Sequence, residues 1–108
     1  MVSTASRKAL ESMGWCLEHT GGGIYNAYKD FTTPGGEVVG ISIGTDCAVA
    51  YRLPDGRFLR AGELAEHRGS GEAEEVLLLT PGGPTPEGLS LLGGDLLREV
   101  EGALALLD

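Results

Sequence analysis

Soft metal ligands and redox-active groups are scarce in this sequence: two cysteines, Cys16 and Cys47, and two histidines, His19 and His67. A structural zinc site brings two cysteines about two to four residues apart, and these four residues match no such pattern. The expectation is therefore no metal and no cofactor. Cys47 stands among Ala48, Val49 and Ala50, where a buried thiol is usually inert. Both cysteines are expected as free thiols, dispensable for activity.

Long apolar runs are missing too. The longest, such as Val76 to Leu79 and Ala103 to Leu107, fall far short of the roughly 20 residues that span a bilayer. Arg7 and Lys8 are followed by Ala9, Leu10, Glu11 and Ser12, which is no signal-peptide core. A cytoplasmic protein without membrane contact is expected.

Positive charge is in short supply. Eight basic side chains face sixteen acidic ones, a net charge of −8, which repels phosphate backbones and argues against direct nucleic-acid binding. Gly21, Gly22 and Gly23 could wrap a phosphate, but no lysine and no helix start follows them, so they read as a hairpin turn. Asp30, Asp46 and Asp55 lack calcium-loop spacing; each precedes or sits in a turn, and turn chemistry accounts for them. No acid, base or nucleophile constellation stands out, and the chain is read as non-enzymatic.

What the sequence has in plenty is glycine, 18 of 108 residues, falling between short apolar runs as in a chain that turns often. Its length suits one α+β domain, residues 1–108. Thr4 or Ser6 caps a first helix carrying Ala5, Ala9, Leu10 and Met13, and Gly14 stops it. Trp15, Leu17 and His19 alternate as strand one; Tyr25, Ala27, Lys29 and Phe31 follow as strand two. Pro34, Gly35 and Gly36 turn the chain into a third strand with Val39, Ile41 and Ile43 on one face. A fourth runs from Cys47 to Leu53, and Pro54, Asp55 and Gly56 turn it into a fifth at Arg57 to Leu59. The expected sheet is an antiparallel meander of about five strands within residues 15 to 60.

Ala61 to His67 reads as a short middle helix, and Arg68 to Glu75 as a mobile acidic loop. Val76 to Thr80 follows as a strand buried on both faces. Thr85 caps a C-terminal amphipathic helix with Pro86 at its first position. A stripe of Leu89, Leu92, Leu96, Leu97, Val100, Leu104 and Leu107 packs it on the sheet. Gly93 and Gly94 break this helix, with Asp95 capping the second piece.

Gly14 and Trp15, then His19, Thr20 and Gly21 to Gly23, then Ala27 and the strand Val39 to Asp46 together resemble a type of short uncharacterised protein of bacteriophages and their bacterial hosts. Those proteins start with a helix, a Gly-Trp pair and a glycine-rich turn. The resemblance covers less than half the chain, implies a mobile-element origin, and assigns no activity or site residue.

Glu63, Glu66, Glu72, Glu74 and Glu75 crowd one short stretch, and an acidic surface can imitate the phosphates that a nucleic-acid-binding protein expects. The partner-binding residues are expected here. The favoured reading is a small acidic interaction protein, a phage-borne inhibitor of a host nucleic-acid-handling machine of the anti-CRISPR kind, contacting a basic groove on that protein. One alternative is a ligand-binding domain or enzyme with a pocket between sheet and terminal helix, using Cys47, His19 or Tyr51. The other is a homodimeric accessory subunit joined through the leucine stripe.

Overall fold

The computed structural model describes residues 2–21, 24–44, 46–67 and 71–107. Its elements run α1 (Thr4–Ser12), β1 (Cys16–Gly21), β2 (Ile24–Thr32), β3 (Val38–Gly44), β4 (Cys47–Arg52), α2 (Ala61–Glu66), β5 (Glu74–Thr80), β6 (Gly83–Pro84) and α3 (Pro86–Leu107). The strands form one six-stranded sheet in chain order, each antiparallel to the next. The α+β meander with an N-terminal, a short middle and a C-terminal helix is therefore as read from the sequence.

Its starting cap differs. Ser3, not Thr4 or Ser6, stands before α1, and its Oγ accepts from the Ser6 backbone N–H at 3.1 Å. The stop is as expected. Gly14 has φ +95°, and the Trp15 and Gly14 N–H groups donate to the Leu10 and Glu11 carbonyls, the paired bonds of a Schellman ending. Lys29 reaches from β2 to donate from Nζ to the Met13 carbonyl at 2.6 Å, placing a cation at the negative end of α1.

Alternation along the strands separates two hydrophobic clusters. On one face Ala27, Phe31, Val39, Ile41, Ile43, Ala48 and Ala50 pack with Leu10 of α1 and with Leu92, Leu97, Val100 and Ala103 of α3. On the other, Tyr28, Leu59 and Leu64 form a smaller cluster beneath α2, edged by Tyr51 and Leu53.

The expected fifth strand at Arg57 to Leu59 is corrected. The Pro54–Gly56 turn forms, with Gly56 at φ +91°, but beyond it only an isolated bridge joins Arg52 and Phe58. Strands β3 and β4 pair only from Ser42–Gly44 to Cys47–Val49. Leu59 bridges them beyond that pairing, accepting from Gly40 N–H at 2.8 Å and donating to the Tyr51 carbonyl at 2.9 Å. Among the described residues four strands thus lie within residues 15 to 60, and the fifth is β5.

Two further expectations change along β5 and α3. Leu77 is 40% exposed, so β5 is not buried on both faces, and Glu74 and Glu75 belong to the strand rather than to a loop. Arg68, Gly69 and Ser70 of that predicted loop lie outside the described residues, as do Gly22 and Gly23 of the predicted hairpin turn and Thr45 of the β3–β4 turn. In α3 the non-helical residue is Gly93, at φ +75°. Asp95 follows the break and accepts from Arg98 at 2.7 Å, a different role from the cap expected of it.

Candidate functional site: an acidic surface and the outer edge of β5

Of the five glutamates singled out in the sequence, Glu63 and Glu66 lie on α2, Glu74 and Glu75 on β5 and Glu72 just before β5, and they meet different fates. Glu63 sits in the first turn of α2. Its carboxylate accepts from both Arg57 guanidinium nitrogens, at 2.9 and 3.0 Å, and from the Arg60 backbone N–H at 3.1 Å. The Arg57 hydrogen bonds, then the Arg60 one, hold its carboxyl well below the usual range, at about 2, while Glu63 pushes the Arg57 pKa up. Glu63 is thus built into the fold of α2. Glu66 is exposed at the end of the same helix.

Glu72 is exposed just before β5, and Glu74 pairs with Arg52 at 3.0 Å. Both partners of that pair are well exposed, so it adds little stability. Glu75 stands opposite Tyr51 in the β4–β5 register. Burial, then the nearby Glu75 charge, pushes the Tyr51 hydroxyl up, which keeps it a neutral donor and acceptor. Tyr28 is raised likewise by burial, against a side-chain hydrogen bond with Asn26.

Beside this acidic stretch runs an open groove of about 800 Å³ between β5 and the start of α3. Glu75, Leu77 and Phe58 line one side, and Thr85, Glu87 and Leu91 the other. Glu75 and Glu87 carry no ion pair among the described residues. Thr85 ties the two walls together: its Oγ1 donates to the Leu77 carbonyl at 2.6 Å and accepts from Gly88 N–H at 3.0 Å. Its own N–H donates to the Leu78 carbonyl at 3.1 Å.

Sequence reasoning missed Leu77, Thr85 and Glu87 as members of one surface. Glu87 did carry a local signal, an acid in the first turn of a helix opened by Thr85 and Pro86. The approach of β5 to that turn is tertiary and left no mark in the pattern. Asp30 lies in β2, ahead of the turn, as expected, but its role is not turn chemistry: it accepts from the Ala61 N–H at 2.7 Å. Asp55 does serve its turn, accepting from the Arg57 N–H at 2.9 Å.

Of the residues of the alternative pocket, Cys47 and Tyr51 lie close enough to interact, which adds to burial and the Glu75 charge in raising the Tyr51 hydroxyl, while His19 lies on β1. Tyr51 clusters under α2, on the face opposite α3, while His19 packs on the Tyr25 ring with centroids 4.9 Å apart. Cys47 is half-buried and Cys16 exposed. Of the leucine stripe, Leu92, Leu97, Val100 and Leu107 enter the core and Leu89 is 51% exposed. Among the described residues no helix is long and apolar enough to cross a membrane. No family model, curated protein or solved structure matches the chain.

Proposed function

We propose that this chain is a non-enzymatic, cytoplasmic interaction protein whose acidic α2–β5 surface occupies a basic site on a larger protein. The observation that carries the reading is the exposure of Glu66 at the end of α2, of Glu72 just before β5 and of Glu75 within it, with Glu87 at the start of α3 lining the same groove as Glu75. A basic groove that handles nucleic acid is the partner this charge suits best, because carboxylates at its rim stand in for phosphates. The resemblance to phage-borne proteins supports the same direction, an inhibitor of a host nucleic-acid-handling machine of the anti-CRISPR kind.

The test is affinity capture of the tagged chain from bacterial lysate at rising salt, with quantitative identification of what is retained. The reading expects a basic protein held at low salt and released as salt screens the contact. Retention of nothing above background, or of proteins indifferent to salt, contradicts it.

A further inference from the structure

Strand β5 is paired unevenly along its two sides. Inward, β4 covers it from Glu74 to Leu79. Outward, β6 pairs only with Leu79 and Thr80, and Thr85 takes the carbonyls of Leu77 and Leu78. From Glu74 to Val76 no strand lies on the outer side among the described residues, so alternate backbone N–H and C=O groups there face the groove. A sheet edge beside a helix, with a groove between them, is the geometry that takes up an extended peptide by strand addition.

We propose that this outer edge, from Glu74 to Val76, takes up an extended basic segment of the partner as an added strand lying against the start of α3. This rests on the reading of the chain as an acidic interaction protein and specifies how the contact is made. Main-chain hydrogen bonds to β5 supply the pairing. Glu75, on the sheet face shared with Tyr51 and away from α3, lacks an ion pair among the described residues and selects lysine or arginine, while Glu87 adds negative charge at the start of α3. The alternate side chains of the added strand fall on the α3 face, where part-buried Leu91 receives apolar ones.

Charge also decides against a second copy as the occupant. Antiparallel pairing of two β5 edges would set the Glu74 and Glu75 of one chain alongside those of the other within about 10 Å, the length of three to four strand residues. Acidic side chains on an edge strand discourage self-pairing of this kind, and the same side chains attract a basic segment.

The experiment titrates the full ¹⁵N-labelled chain with a capped hexapeptide alternating lysine and valine. Controls are a glutamate–valine peptide and two versions of the cationic peptide N-methylated at one or the other set of alternate residues. The proposal expects saturable shifts at the amides of Glu74 to Val76 and of the first turn of α3. It further expects at least a tenfold loss of affinity for one N-methylated version, and no binding of the glutamate peptide. Glu75→Gln with Glu87→Gln should weaken the cationic peptide several-fold while leaving the remaining spectrum in place.

Equal affinity of both N-methylated peptides overturns strand addition while the acidic-surface reading stands. Shifts confined to other elements, or no saturable binding up to millimolar peptide, also overturn it. So does a concentration-dependent dimer that shifts the same amides without peptide. Salt-indifferent capture in the lysate experiment, by contrast, overturns the underlying reading itself.

Discussion

The carboxylate of Asp30, in β2, accepts a 2.7 Å hydrogen bond from the backbone N–H of Ala61, the first residue of α2. The start of α2 is therefore capped by a side chain from 31 residues away, and this contact fixes where the acidic surface begins. Asp30→Ala should cost about 0.5–2 kcal/mol, the usual loss when a cap is removed, and Asp30→Asn distinctly less. Denaturant midpoints of the two variants check this; an Asp30→Ala protein as stable as the parent would refute the cap.

Gly40 is the neighbour that lets this approach happen. A Cβ on it would collide with the Ala61 nitrogen and stand 2.5 Å from the Arg60 carbonyl carbon and 2.9 Å from the Leu59 oxygen. Gly40→Ala should therefore destabilise by about 1–3 kcal/mol, as overpacking does. Gly62→Ala, in α2 with nothing near its Cβ position, should stabilise by roughly 0.5–1 kcal/mol. Thermal melts of the pair should move in opposite directions.

Glu63 makes stability depend on pH. Its folded-state pKa is depressed to about 2, chiefly by Arg57. The contribution is therefore fully present above the ordinary carboxylate pKa and is lost as pH falls from there toward about 2. Melting temperatures recorded across that window should fall more steeply for the parent than for Glu63→Gln. Added salt should narrow the difference, because Arg57 is half exposed. Parallel curves would show that the pair adds nothing.

The elements read from local signals match the structure where those signals act alone. Gly14 ended α1, Thr85 and Pro86 began α3, and Gly93 broke it. Residues 57–59 carry an equally good hairpin signal, yet the turn is all that signal controls. Their place is set by the divergence of β3 from β4, which leaves Leu59 hydrogen-bonding Gly40 and Tyr51. Local propensity cannot register a gap between two other strands. The same holds at the candidate site. The glutamate cluster is visible as composition, but Arg57 on Glu63 and Arg52 on Glu74 separate its members by contacts that span turns and strands. The groove facing Glu87 exists only because Thr85 draws α3 against β5.

The central claim, an acidic surface that meets a basic partner, is tested most directly by the association rate of the captured partner with the parent and with Glu72→Gln, Glu74→Gln, Glu75→Gln combined. Each rim contact contributes only about 0–1 kcal/mol, but together the charges steer the encounter. Folding should be nearly unchanged, since Glu72, Glu74 and Glu75 are all exposed and the pair of Glu74 with Arg52 is at the surface. The account predicts an association rate roughly tenfold lower at low salt for the triple variant, with a shallower salt dependence. An unchanged rate with an unchanged salt dependence would contradict it.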